Sequence, residues 1–319
     1  MEIKWGNDYI INWVKSKDGT EEGFVINYSL DFSNRRKIPI KRINSLETKH
    51  RFLCMENSPF GPIIWVTGEF MALKIELREA GIWHEVGHVH HNHYMNENYQ
   101  YTGNPNAERL KWLSQNKIAP EEAEADMFSV KKVGRENMLK SLNFLLETRR
   151  LLNEVSANAE KELSLRIKNI EMMAIERKNY FAYGSNLLIA QMNERCPNNI
   201  IKCKGILNDY KWIINKRGFA NIIPSKGDFV EGLIYEITDS DEYNLDLKEG
   251  VFKKSYNKTN LNIIGPNSET IACLVYIDPI QETGFAKGGY EDRLMRGKRD
   301  AGLSHEYFEK YWLPFLEQQ

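Results

Sequence analysis

Four cysteines are scattered through the 319 residues, at Cys54, Cys196, Cys203 and Cys273, with no CxxC spacing. That pattern argues against a disulfide framework and against a cysteine-based zinc site, and four buried thiols are expected. Charge of one sign is also missing, since 43 basic residues face 44 acidic ones for a formal charge of -1. No whole-molecule field exists to draw in nucleic acid or anionic lipid, so neither is expected as a partner. The opening segment MEIKWGNDYIINWVKSKDG breaks every apolar run with charge. It lacks the apolar stretch of a secretory signal, and a reducing cytoplasmic location is expected. No repeat or low-complexity segment is present.

What is there suits ordinary folded cores. With 42% hydrophobic and 27% charged residues, the chain is neither disordered nor collagen-like nor embedded in a membrane. Its length favours two folded units. Residues 1 to about 78 read as irregular and strand-containing, with GFVINYSL and PIIWVTGEF as strands between Gly, Asn, Asp and Pro. From Arg78 the pattern turns helical. An Asn-rich loop, NENYQYTGNPN, follows, and Pro120 stands at the first turn of the next helix. Leu163, Ile167, Ile170 and Ala174 form the stripe of an amphipathic helix whose other face is Lys, Glu and Arg. At Asn179 the texture changes to NYFAYGSN, a short helical stretch, and strand-length runs such as VEGLIYEI and ACLVYI. A boundary near residue 177 is expected.

Five of the seven histidines lie in HEVGHVHHNH: His84, His88, His90, His91 and His93. Residues four apart share a helix face, so His84 and His88 can present imidazole nitrogens to one cation, with Glu85 beside them. Catalytic zinc needs three protein ligands and an open position, which sends the search to EEAEADMFS, residues 121–129. Glu122 and Asp126 are four apart. Glu122 can ligate while Asp126 accepts a hydrogen bond from the outer nitrogen of a ligating histidine. Glu124 is the rival third ligand, though it would leave Asp126 aimed elsewhere. His90, His91 and His93 read as polar surface histidines or as a weaker second metal site.

This segment, roughly residues 79–130, resembles zinc metallopeptidases of the gluzincin type, in which HExxH precedes a Glu-xx-Ala-Asp helix. The resemblance implies zinc at His84, His88 and Glu122, Asp126 behind a ligand, and Glu85 as general base on a zinc-activated water. The metzincin pattern does not fit, because His91 and Tyr94 stand where that family has its Gly and third His.

In the second half, YFAYGSN at 180–186 reads as a strand running into a turn of small residues and then a helix. Gly184 and Ser185 allow close approach to a ligand, and amides at the helix start can bind an anion or a carbonyl oxygen. The segment YNLDLKEGV places Glu249 beside a Gly at the end of a helical turn, flanked by Leu245 and Val251. A carboxylate among apolar groups has a raised pKa and suits a general base. The pair of segments resembles the gamma-glutamylcyclotransferase family, including its gamma-glutamylamine cyclotransferase relatives, over residues 179–319. The resemblance implies cyclisation of a gamma-glutamyl group to 5-oxoproline with release of the attached amine or peptide. Glu249 would be the base, the backbone of Tyr183, Gly184, Ser185 and Asn186 would hold the oxyanion, and Tyr256 and Tyr290 would position substrate. No cofactor is implied there. Both tyrosines also read as core or rim residues, and Arg293, Arg296, Lys298 and Arg299 read as a solvated face or a site for the substrate's α-carboxylate.

The expected fold class is α+β. Residues 1–177 would form a mainly helical zincin-like domain with a few strands, and 178–319 a mixed β-barrel-like cyclotransferase fold with flanking helices. The expected function is bifunctional, a zinc peptidase acting on a peptide or protein and a gamma-glutamyl cyclotransferase. A second reading keeps only the cyclotransferase active and makes the zinc unit a binding or regulatory module.

Overall fold

In the computed structural model the chain divides into two compact units, Met1–Ala174 and Ile175–Gln319. The structure describes residues 9–15, 21–28, 37–43, 52–58, 61–93, 105–152 and 156–316. Tyr94 and most of the Asn-rich loop lie outside the described residues. Among the described residues no helix is long and apolar enough to cross a membrane.

Among the described residues the first unit has five strands, β1 (Tyr9–Lys15), β2 (Glu21–Asn27), β3 (Lys37–Arg42), β4 (Leu53–Ser58) and β5 (Gly61–Val66). They form one sheet in the order β1-β2-β3-β5-β4, with β3 and β5 parallel and the other pairs antiparallel. The region expected to be irregular is therefore a regular sheet. Its strands alternate, burying Val25, Ile38, Ile40, Ile64 and Val66 on one face, as a sheet covered on one side requires. The described helices that follow are α1 (Gly68–Met71), α2 (Ile75–His90), α3 (Pro105–Ser114), α4 (Pro120–Val133), α5 (Arg135–Leu151) and α6 (Ala157–Met172).

Helix α2 starts three residues before the expected Arg78 and packs on α4, α5 and the sheet. In α4 the buried residues are Glu122, Ala125, Asp126, Phe128 and Ser129, a helical stripe that carries two acids into the interior. Buried carboxylates require partners, and these define the first site. Helix α6 ends at Met172, where Met173 turns to extended backbone, so Ala174 falls outside the expected stripe. Leu163 and Ile170 are buried as that stripe predicts.

The second unit is a closed barrel in the order β10-β6-β8-β7-β9. Its strands are β6 (Lys178–Ala182), the long hairpin β7 (Ile200–Ile214) and β8 (Ala220–Ile237), then β9 (Asn257–Ile264) and β10 (Thr270–Ile277). Flanking it are α7 (Ile189–Arg195), α8 (Asp239–Glu249), α9 (Tyr290–Ala301), α10 (His305–Tyr311) and α11 (Leu313–Leu316). Phe181, Trp212, Ile234 and Val275 are among the fully enclosed core residues, and the stacked rings of Trp212 and Trp312, 4.6 Å between centroids, tie the C-terminal helices to the barrel. All four cysteines are free thiols. Cys196 and Cys273 are buried, whereas Cys54 and Cys203 are only half-buried, on strands with one face toward solvent.

Candidate catalytic and metal sites

The first site depends on two helices coming unusually close. A Cβ on Gly87 would lie 2.8 Å from Ala125 Cα, a distance real side chains do not tolerate, so glycine inside the HEVGH segment is what lets α2 and α4 touch. Ser129 Oγ donates to Ala80 O at 2.9 Å and fixes their register. His84 and His88 then face Glu122. Nε2 of His84 is 3.2 Å from Nε2 of His88 and 3.4 Å from Glu122 Oε2, and Nε2 of His88 is 3.9 Å from Glu122 Oε1. A tetrahedral zinc ion with ligands at about 2.0–2.1 Å would hold them about 3.3 Å apart. The donor set fits such an ion in both type and spacing. Among the described residues this is the group of three that can hold a metal.

Asp126 Oδ1 lies 2.8 Å from His84 Nδ1, leaving Nε2 for the cluster. Arg166 of α6, 7% exposed, places Nη1 2.9 Å from Glu122 Oε2 and Nε 2.8 Å from Asp126 Oδ2. Burial raises the carboxyl pKa of Glu122 and of Asp126, but Arg166 and the histidines outweigh it: Glu122 is held well below the usual range and Asp126 is lowered. Burial, reinforced by charged His84, pushes His88 down to about 2, a neutral imidazole fit to ligate. At His84 burial and Arg166 oppose protonation, yet Asp126 and Glu122 prevail and raise it to about 9. Glu85 is half-buried, and burial raises its carboxyl, with His84 opposing and Glu122 reinforcing the shift.

Two sequence expectations need correcting. His93 is not a surface histidine: it is 5% exposed, with Nδ1 2.8 Å from His88 Nδ1 and Nε2 2.8 Å from Glu124 Oε2. Glu124 is accordingly not placed with the ligating nitrogens, because two residues along α4 from Glu122 is about half a turn of helix, which aims it at His93. His90 is half-buried, with Nδ1 3.3 Å from Tyr9 Oη, and His91 is exposed. Sequence reasoning missed Arg166 altogether, placing it only on the Lys, Glu and Arg face of an amphipathic helix. The usable signal was electrostatic, since two buried acids on α4 demand a buried cation.

In the second unit the base candidate is positioned by the two ends of α8. Thr238 Oγ1 accepts from Asp241 N at 3.2 Å while Asp241 Oδ2 accepts from Thr238 N at 3.1 Å, a reciprocal cap that fixes the start. Gly250, at φ 68° and ψ 37°, ends the helix in the left-handed conformation. Glu249 is the last helical residue. Its Oε1 accepts from Asn186 Nδ2 and lies 3.2 Å from Arg195 Nη1, with 18% of each charged side chain exposed. Asn186 also donates to Tyr180 Oη at 2.8 Å and accepts from Arg195 at 2.7 Å and Gln191 at 3.0 Å. Burial raises the Glu249 carboxyl, and Arg195 and Asn186 only partly offset it.

The 180–186 segment is β6, then a tight 3-10 turn over Ser185–Leu187, then α7. A Cβ on Gly184 would sit 3.1 Å from the Ala220 Cβ and 3.4 Å from Tyr290 Oη. Tyr290 Oη accepts from Ala220 N at 3.3 Å and Tyr256 Oη donates to Ala220 O at 3.4 Å, so both tyrosines meet at the residue facing the turn. Tyr183 points away, its hydroxyl donating to Tyr276 O, which leaves only its backbone near the turn. Ser185 Oγ accepts from Gln191 at 3.0 Å. The basic stretch of α9 disperses: Arg293 stacks 5.3 Å from the Tyr290 ring centroid, Arg296 lies 3.8 Å from Asp292, and Lys298 sits over Phe308.

An AIG2-like family model matches residues 229–311. The mouse gamma-glutamylcyclotransferase is 30% identical over 141 residues, covering 41% of this chain and 75% of that protein. The human one matches at the same identity and coverage. The chain belongs to the gamma-glutamylcyclotransferase family. Membership rests on its C-terminal unit, a cyclotransferase-like enzyme domain. A solved gamma-glutamyl cyclotransferase structure, 28% identical, covers 45% of this chain and 90% of its own at a TM-score of 0.42. These matches do not identify the N-terminal unit as a zinc peptidase, and none supports peptidase activity.

Proposed function

We propose that the C-terminal unit cyclises the gamma-glutamyl group of an amine or peptide adduct to 5-oxoproline and frees the attached amine. The observation that carries this reading is the half-buried Glu249 carboxylate, hydrogen-bonded to Asn186 in the turn that follows β6. A substrate α-amine titrates near ~8 and is mostly protonated at neutral pH. Glu249, raised by burial, takes that proton and later delivers one to the leaving nitrogen. The amine attacks its own γ-carbonyl, and holding the two in one bent molecule supplies on the order of 7–11 kcal/mol. Backbone amides of Gly184–Asn186 stabilise the developing oxyanion, while Tyr256 and Tyr290, neutral phenols in a buried setting, wall the substrate in. Glu249→Gln is expected to lower 5-oxoproline release from gamma-glutamyl amines by about 10²–10⁴-fold, measured by mass spectrometry. Turnover within a few-fold of the unaltered protein would refute the assignment.

For the N-terminal unit the geometry favours a zinc site held by His84, His88 and Glu122, and a hydrolytic role on peptides is the reading we adopt. The ion, when bound, supplies Lewis-acid polarisation. Glu85, whose carboxyl is raised by burial, accepts the proton of the attacking water, and Asp126 keeps His84 in the tautomer that ligates through Nε2. Glu85→Gln should retain zinc while abolishing chelator-sensitive cleavage of a peptide library. Zinc binding with no cleavage by the unaltered protein would favour the binding-module reading instead.

A further inference from the structure

The two imidazoles of the metal group are supported differently. His84 leans directly on a carboxylate, Asp126, at 2.8 Å. His88 has a second imidazole in that position, His93, with Glu124 beyond it. We propose that His93 and Glu124 form a two-residue relay that orients His88 and sets its proton for metal binding, an inference that rests on reading His84, His88 and Glu122 as a metal group.

Hydrogen counting assigns the tautomers. With Nε2 of His88 turned toward His84 and Glu122, the ring's proton resides on Nδ1. That proton needs an acceptor, and the atom 2.8 Å away is Nδ1 of His93. To accept there, a neutral His93 carries its own proton on Nε2, where Glu124 Oε2 waits 2.8 Å away. One tautomer of each ring satisfies every link, and the chain ends on a carboxylate, which makes the ligating nitrogen more basic as a direct His–carboxylate pair does. Among the described residues His93 belongs to no group of three that can hold a metal, and both of its nitrogens face these two partners. The relay also explains why His93, three residues past the end of α2, is buried while its neighbour His91 is exposed. The chain turns back there, with Asn92 at φ 57° and His93 N donating to His88 O at 3.0 Å, which carries the ring under the ligand it supports.

The test is zinc affinity of the full chain, read by competition with a chromogenic chelator, beside the unfolding midpoint of the metal-free protein. His93→Phe keeps a ring but no acceptor and should weaken zinc binding about 10–100-fold. His93→Gln, which restores an acceptor for His88 Nδ1, should recover most of that loss. Glu124→Ala, at a side chain 55% exposed, should cost several-fold in affinity without moving the metal-free midpoint, and it carries the test if His93→Phe does not fold. Unchanged affinity in His93→Phe or Glu124→Ala, or no recovery in His93→Gln, overturns the relay while leaving the metal group standing. Failure of the unaltered chain to bind zinc overturns the metal reading, and the relay with it.

Discussion

Each unit sets a glutamate against an arginine, and the two pairs settle in opposite ways. Glu122 is 2.9 Å from Arg166 and Glu249 is 3.2 Å from Arg195, yet the first carboxyl is held well below its usual range and the second is raised. Burial penalises both anions. The difference lies in what surrounds them. Glu122 has Arg166 and two imidazoles around it, and it sits in the first turn of α4, where the helix dipole favours negative charge. Glu249 has one close cation and an amide, and it is the last residue of α8, where the dipole disfavours negative charge. An acid kept ionised suits a metal ligand, whereas an acid poised to exchange protons suits a base. Glu85 belongs with Glu249 by this criterion.

The contrast between the two pairs breaks most visibly at Arg166. Arg166→Met would leave Glu122 and Asp126 buried without their cation, and removing one partner of a buried ion pair costs about 3–5 kcal/mol. A matching fall in the denaturant midpoint of the N-terminal unit is expected, with 5-oxoproline formation unchanged; loss of both together would show that the two sites are not independent. Next comes Gly87→Ala, whose methyl would meet Ala125 Cα at 2.8 Å. Overpacking of that kind costs about 1–3 kcal/mol. It should also weaken zinc binding, because α2 and α4 must part for the methyl to enter.

Arg195→Met sharpens the other side. Glu249 must be ionised to accept a proton, so activity is lost as pH falls through its raised pKa. Burial lifts that pKa, and the Arg195 guanidinium is the strongest influence holding it down. Without Arg195 the carboxyl rises further, and the acid limb of kcat/KM should move to higher pH. A limb that stays in place would mean that Asn186 and the charge of Arg217 suffice to hold the anion.

The sequence made legible what spacing controls. His84 and His88, and likewise Glu122 and Asp126, sit four apart on single helices, so each pair faces one way whatever the rest of the chain does. The turn after β6 and the Glu249–Gly250 helix end could be read for the same local reason. Arg166 and Arg195 could not. Arg166 lies 82 residues from the histidine it approaches, on a helix face that looks solvated in isolation, and only the packing of α6 against α4 shows where it points. His93 is easily misread because a run of histidines looks polar until a backbone reversal buries one of them. The sheet of the first unit is recognisable as strands without pairing, since its order β1-β2-β3-β5-β4 is set by contacts between strands that no local pattern encodes.

The smallest expected effect tests how the end of α8 aims its acid. Gly250 holds φ 68°, a conformation that costs a residue with a Cβ about 1 kcal/mol, and a methyl there would approach Ser255 Oγ at 3.0 Å. Gly250→Ala should lower stability by about that amount and let the last turn relax, shifting Glu249 from Asn186. Because a base works only within hydrogen-bond reach of its proton, kcat should fall more than the stability loss alone would suggest, with KM nearly unchanged. The equivalent junction after α4, Gly134 at φ 83°, lies eight residues beyond Asp126, so Gly134→Ala should lower stability and leave zinc affinity intact. If instead both glycine variants lose stability alone, the end of α8 is only a cap, and the placement of Glu249 must come from Asn186 and Arg195.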